Sequence, residues 1–337
     1  MERRNFVAAL LLGLSLISGV VRAQDNPAES PLENTRYIDS LSLSAGNFPQ
    51  KLIKVNDQVY IISQSPVAGN IGVFLGSSGV YLIDTQWATL SEHVKKLLGS
   101  ITTSPIKAII NTHYHYDHTN GNLAFGPENI PIVAHINTRI RMMERQVIRS
   151  HKNEVQLPYP THALPTVTFT DKLSFHEGNE TIELLYFKNA HTDGDVVVHF
   201  KESDIYHTGD IFVWYGLPVI DAETGSNIFA LIEALDTLLA RADDRTQFIP
   251  GHGPLCSKKE LLAYKNLLTS IKEKVEVLHN QNRPLAEIIK KTQVLLDPKL
   301  HGISREKFIT QVYRMVKSNR IDQKNPYSPR GQIKSKN

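Results

Sequence analysis

Residues 113–118 read His-Tyr-His-Tyr-Asp-His, three imidazoles and a carboxylate within one short stretch. Imidazole nitrogens and carboxylate oxygens bind zinc at similar distances, so this composition is that of a metal-ligand loop. His113 and His115 are two positions apart and on an extended segment point the same way. Asp117 and His118 follow once the chain turns, which lets one pair serve one ion and the other pair a neighbour. Three further candidates lie downstream, each near the end of an expected strand: His191 in "NAHTDGD", Asp210 in "YHTGDIF" and His252 in "IPGHGP". Gly209, Gly251 and Gly253 flank two of them and permit tight turns or close backbone approach to a site. Isolated histidines such as His93, His151, His279 and His301 carry no such pattern and read as ordinary surface or core residues.

The elements that must position these residues follow from periodicity. "KLIKVNDQVYIIS" and "NIGVFLGSSGVYLIDT" alternate and read as strands joined by hairpins. "LSEHVKKLLGSI" has helical spacing, and "IKAII" (106–110) is a short buried strand that runs into the histidine cluster. A strand at "IPIVAH", a helix over about 136–148 and an irregular stretch through "SHKNEVQLPYPTHALP" come next. Strands are expected at about 166–169, 173–176, 181–187, 195–200 and 204–208, then a helix over about 225–241 and a strand at "TQFIP". A long amphipathic helix over about 257–280 carries the stripe Leu261, Tyr264, Leu268, Ile271, Val275 and Leu278. Two more helices, about 284–294 and 304–318, close the chain. This order fits two sheets covered by helices.

The motif H-x-H-x-D-H, followed by separated His, Asp and His, resembles the metallo-β-lactamase superfamily over about residues 50–280. The resemblance implies an α/β (α+β) chain folded as a four-layered αββα sandwich, with a helical C-terminal extension and the site at one edge between the sheets. It implies a first Zn2+ held by His113, His115 and His191, a second held by Asp117, His118 and His252, and Asp210 bridging them. Asp84, closing the strand "VYLIDT", matches the family's early acidic position and would brace the ligand loop. Two such ions lower the pKa of a bound water toward about 7. The implied reaction is attack of that water on a carbonyl carbon, with Asp117 as the catalytic residue that orients it and relays its proton. The same ligand types accept iron or manganese. Oxygen-reducing relatives carry Glu where His115 stands, so the second histidine favours hydrolysis.

Substrate choice rests on fewer residues. The best-known lactamase subclass has Cys in place of Asp210 and a nearby Lys; "GDIFVWYG" has neither. Asp210 is similar to the residue found in lactonases, glyoxalase-type thioesterases and exported lactamase-like hydrolases. Trp214 and Tyr215 are candidate pocket walls, "SQSPVAGN" (63–70) sits where lactamase-like members carry a flap, and Tyr114 and Tyr116 are expected to pack beneath the ligand loop. The leading expectation is an exported, β-lactamase-like hydrolase of a small cyclic amide. A lactone or thioester hydrolase is the alternative, and a metal-binding accessory protein of an exported redox system is a reading of another class.

Bulk properties bound the rest. The chain has 337 residues, 41% hydrophobic and 21% charged, with a net charge of +3. That charge is too small to argue for nucleic acid as a partner. The start "MERRNFVAALLLGLSLISGVVRAQDN" has a basic head, an apolar run of about 16 residues, shorter than the roughly 20 a spanning helix needs, and a small-residue site at Ala23. Residues 1–23 therefore read as a cleaved leader, leaving no stable membrane anchor and a periplasmic or secreted protein. "RRNF" resembles the twin-arginine variety. A catalytic domain over 45–280, a helical extension over 281–320 and a disordered tail over 321–337 complete the expected organisation. Cys256 is the single cysteine, which excludes an intrachain disulfide; a lone cysteine is most often a small buried hydrophobe.

Overall fold

The computed structural model describes residues 50–324, apart from 64–67, 150–153 and 215. The expected leader, the tip of the 63–70 flap, Tyr215 and the tail beyond Lys324 lie outside the described residues. Along the chain run β1 (Lys51–Lys54), β2 (Val59–Ser63), β3 (Ile71–Leu75), β4 (Val80–Ile83), α1 (Ser91–Gly99) and β5 (Ile106–Ile110). The one-turn helices α2 (Tyr116–Thr119) and α3 (Asn122–Phe125) precede β6 (Ile132–His135), α4 (Ile136–Met143), β7 (Gln146–Ile148), β8 (Glu154–Gln156) and β9 (Val167–Phe169). Then come β10 (Lys172–Glu177), β11 (Glu180–Phe187), β12 (Asp195–Phe200), β13 (Ile205–His207), β14 (Gly216–Leu217), α5 (Ile228–Arg241), β15 (Gln247–Ile249), β16 (Cys256–Ser257), α6 (Lys258–Asn280), α7 (Leu285–Thr292), β17 (His301–Gly302) and α8 (Arg305–Lys324).

One sheet has the order β1-β2-β3-β4-β5-β6-β9 and a second the order β10-β11-β12-β13-β15-β16. The side-chain period of a strand sorts its residues into layers. Tyr81 and Ile83 of β4 meet Val196 and Val198 of β12 in one core between the sheets. Val80 and Leu82 point the other way, onto Val94 and Leu98 of α1. Val197 of β12 likewise turns outward, into a core with Leu231 and Leu235 of α5 and Leu261 and Leu268 of α6. Strands buried on both faces read as near-continuous apolar runs, which is why "VYLI" and "DVVVHF" do not alternate cleanly with polar residues. The layers are helix, sheet, sheet, helix, as the resemblance implied.

The stripe of α6 is buried at all six expected positions, and the helix opens on a capping box between Ser257 and Glu260. The helices beyond it join the same apolar core through Ile288, Phe308 and Val312. Cys256 is buried, and burial pushes its thiol up to about 12. No helix among the described residues is long and apolar enough to cross a membrane.

One expected element is corrected. The helix placed over about 136–148 stops at Met143, Glu144 turns extended, and β7, within the expected helix, pairs antiparallel with β8, which lies in the stretch expected to be irregular. Val147 and Ile148 are β-branched and favour a strand, and the partner strand that draws them out of the helix is not visible in a local window.

Candidate metal centre

The candidate residues sit where strands end. His113, His115, Asp117 and His118 follow β5, His191 follows β11, Asp210 follows β13 and His252 follows β15, so one edge of the sandwich collects all of them. His115 has extended backbone and starts α2, whose single turn delivers Asp117 and His118. Ligand-type atoms fall into three groups whose members lie within 4.8 Å of one another: His113, His115 and His191; His113, His118 and Asp210; Asp117, His118 and His252. The first and third are the two sets the resemblance implied, and Asp210 stands between them, with Oδ1 3.1 Å from His118 Nε2 and Oδ2 3.7 Å from His191 Nε2.

Each imidazole in the first and third groups, His252 apart, has an outward neighbour that leaves its other nitrogen facing inward. A carbonyl can only accept, so His191 Nδ1–H donates to Val219 O at 2.5 Å and Nε2 faces the site. Thr112 Oγ1 donates to Asp84 Oδ2 at 2.7 Å, which leaves its oxygen to accept from His113 Nδ1 at 2.9 Å. His118 Nδ1 donates to Asp84 Oδ2 at 2.8 Å. His115 turns Nδ1 toward His191 Nε2, 3.0 Å away, and Nε2 toward Asp221 Oδ2 at 3.5 Å. Asp84 therefore braces the loop as expected, and it also takes the Thr112 backbone N–H at 2.8 Å.

Whether a cation fits is answered by the donors. Buried polar groups are ordinarily paired, yet His113 Nε2 and Asp210 Oδ1 are buried without a hydrogen-bond partner and face the cluster. Burial, with His118, His191 and His115 as neighbours, holds His113 well below its ordinary pKa, and burial pushes His191 down to about 4. Both are neutral at pH 7, the form that binds metal. The remaining imidazoles are arranged oppositely: burial works against charge on His115 too, but the Asp221 carboxylate raises it above its ordinary value. Burial works against charge on His118 and His252, but the carboxylates of Asp210 and Asp117 raise the first well above its ordinary value and the second to about 9. Burial likewise opposes the charge on Asp210, and the imidazoles of His252 and His118 hold its carboxyl well below the usual range. Protons on these imidazoles thus occupy the place of positive charge, and the donor set fits a divalent cation that would replace them. Zinc titrated into chelator-treated protein at pH 7 is expected to release at least one proton per chain, from His252. Calorimetry in buffers of differing ionisation heat reads this number, and it should shrink toward pH 9 as His252 loses its proton unaided.

Glycine makes the close packing possible at two points. A Cβ at Gly69 would overlap the His118 ring, and one at Gly251 would overlap Asp210 Oδ1. Gly69 and Asn70 form the described end of the 63–70 segment, and they lock the ligand loops together. Gly69 N–H donates to Asp117 O at 3.2 Å, and the Asn70 side chain donates to Pro250 O and Gly253 O, both at 2.8 Å. Trp214 is partly buried and its backbone N–H donates to His252 O at 2.8 Å, which puts this candidate wall residue beside the site. Tyr114 and Tyr116 are buried beneath the loop as expected.

Sequence reasoning missed Asp195 and Asp221. Asp195 takes the His191 N–H at 2.7 Å together with both donors of Thr192, closing the turn that presents His191, and burial pushes its carboxyl up to about 7. Its position four residues after His191 in "HTDGD" was a usable local sign. Asp221 has none.

The family model described as the metallo-beta-lactamase superfamily matches residues 65–254, more than half of the chain. The chain belongs to the metallo-beta-lactamase superfamily. Among curated proteins it is 27% identical over 162 residues to the 2,4-dinitroanisole O-demethylase subunit alpha of Nocardioides sp. (strain JS1661), a match covering 44% of this chain and 46% of that one. The matched stretch thus spans about half the length of that relative. Among solved structures, a metallo-beta-lactamase from Pontibacter korlensis superposes with a TM-score of 0.54 at 20% identity, covering 66% of this chain and 99% of that one. The DIM-1 metallo-beta-lactamase gives 0.53 at 20% identity with the same coverages. A double mutant of the sec-alkyl sulfatase PisA1 gives 0.60 at 16% identity, covering 84% of this chain and 54% of that one. At these identities the structures share the superfamily fold, in which hydrolysis is the typical activity and divalent metals are the usual cofactor.

Proposed function

We propose that this chain is a metal-dependent hydrolase that opens an acyl C–N, C–O or C–S bond of a small molecule, with cyclic amides as the first class to try. The observation that carries the reading is the convergence of His113, His115 and His191 with Asp117, His118 and His252 around Asp210, with His113 Nε2 and Asp210 Oδ1 buried and unpaired. His113, His115 and His191 would hold one cation, Asp117, His118 and His252 a second, and Asp210 would reach both; zinc suits this donor set, and iron or manganese use the same residue types. When bound, such a pair supplies a water that ionises near neutral pH and a Lewis acid for the carbonyl oxygen.

The chain's own residues do the rest. Asp117 is the most open of the site carboxylates, its side chain 28% exposed against 12% for Asp210. It is therefore the group able to orient an incoming nucleophile and to move its proton to the leaving atom. Trp214, whose backbone is bonded to that of His252, is assigned as an apolar wall. Asp210, where a Cys would accompany the carboxylate-gripping Lys of the best-known lactamases, also suits lactones and thioesters, which break with a better leaving group. Export through the 1–23 leader would place the enzyme in the periplasm or outside the cell.

A second reading has its own support. The 27% identical relative is named for O-demethylation of an aryl methyl ether, so hydrolysis of an ether C–O bond belongs in the same test. The experiment is a panel of β-lactams, acyl lactones, thioesters, aryl methyl ethers and sec-alkyl sulfates, run on protein of measured metal content with a His115→Ala control. Turnover of a lactam or lactone that disappears in the control supports the leading reading. Ether cleavage alone selects the second. Two bound metals without turnover of any member would point instead to a metal-binding accessory protein.

A further inference from the structure

Residues 216–221 form a strap across the outside of the first triad. Leu217 and Ile220 are anchored in the core that Ile303 and Phe308 of the C-terminal region share, and β14 pairs in parallel with β17. From this base the strap touches both histidines that flank the first metal position. Val219 O receives His191 Nδ1–H, and Asp221 N–H donates to His191 O at 2.9 Å. The Asp221 carboxylate, fully buried, faces His115 Nε2 and takes the hydroxyl of Tyr114, the residue before His115.

We propose that Asp221 is the positioning residue for His115: its carboxylate, fixed by Tyr114, keeps the proton on Nε2 so that Nδ1 presents its lone pair to the first metal position. A carboxylate has no hydrogen to donate, so its oxygen, 3.5 Å from His115 Nε2, favours the proton on that nitrogen over Nδ1. His191 is held the same way by Val219 O, and His113 by Thr112. Without Asp221 the His115 proton has no preferred nitrogen, and a proton on Nδ1 blocks coordination. The strap also explains what the C-terminal region contributes to the site, because the pairing with His301 and Gly302 fixes the segment that carries both Val219 and Asp221.

The inference rests on the metal-centre reading, and two measurements separate their failures. Zinc competition against a chromophoric chelator measures both equivalents. In Asp221→Asn one of them is expected to weaken 10- to 100-fold, on the order of what such outer partners contribute, while the other stays within about twofold. Long-range 1H–15N spectra of the metal-free protein, at a pH where the imidazoles are neutral, report the tautomer without any metal. The intact chain should show His115 as Nε2–H, and Asp221→Asn should show a mixture. Unchanged affinities with an unchanged tautomer overturn the proposal. An intact chain that binds no zinc overturns the metal centre and leaves the spectra to decide Asp221 alone. If Asp221→Asn does not fold, Tyr114→Phe removes only the hydroxyl that fixes the carboxylate. It is expected to weaken the same equivalent by roughly three- to tenfold, and unchanged affinity and tautomer there overturn the proposal equally.

Discussion

Asp117→Ala is expected to lower kcat/KM by about a thousandfold or more, equivalent to about 4 kcal/mol of transition-state stabilisation, and to reduce retained zinc from two equivalents toward one. The expectation follows from where the carboxylate sits. Its Oδ2 lies 3.1 Å from His252 Nε2 and 3.7 Å from His118 Nε2, so its removal leaves the second set of donors with two imidazoles and a shared Asp210. It is also the site carboxylate with the greatest access to an arriving substrate. Asp117→Asn keeps the shape and one acceptor oxygen but not the charge. If it retains both metals yet loses turnover, proton movement is the larger share of the role; if it loses metal as well, ligation is. Metal analysis after a chelator challenge, beside kinetics on the responding substrate, distinguishes the two. Wild-type turnover by Asp117→Ala would remove this residue from the mechanism.

Replacing Asp84 should have the largest effect on the fold itself. Its side chain is buried and accepts from the Thr112 backbone N–H, the Thr112 hydroxyl and His118 Nδ1. Hydrogen bonds to a charged group contribute about 1.5–3 kcal/mol each, and three sharing one carboxylate do not add fully. A loss of about 3–5 kcal/mol is expected for Asp84→Asn in the metal-free protein, read from urea denaturation. Asp84 also has a φ of 66°, a left-handed conformation that Asn tolerates nearly as well as Asp. Asp84→Ala adds the cost of placing a Cβ-bearing residue without local hydrogen bonding in that region, about 1–2 kcal/mol, together with loss of the acceptor oxygen that Asn keeps for Thr112, so it should be the less stable of the two variants. Both should bind the second zinc weakly, because His118 loses the partner that orients it. Equal denaturation midpoints for wild type and Asp84→Asn would show that the buried carboxylate is not what closes this turn.

Much of the site was legible in the sequence because its elements are local. His113 and His115 share an extended segment, one helical turn separates them from Asp117 and His118, and Asp84 marks the end of an apolar strand; each relation spans only a few residues. The downstream His191, Asp210 and His252 were readable for a related reason, since each follows a strand and two sit among turn glycines that a close-packed site requires. The fold was legible to the same depth. The apolar runs of β4 and β12 and the stripe of α6 declare which faces are covered. The hairpin of β7 and β8 was not legible, because its register depends on a partner strand across a loop.

By itself, the sequence determined the identity of the ligand-type residues, the order of the strands that carry them and the superfamily they belong to. Tertiary structure alone decided how those residues are held. His115 meets His191 across 76 positions, and Tyr114 meets Asp221 across 107. No periodicity reports a contact of that span: the period of a helix or strand says which face a side chain occupies, while its neighbour on that face is settled only when the sheets close and the strap from Gly216 to Asp221 is laid over the ligand loop.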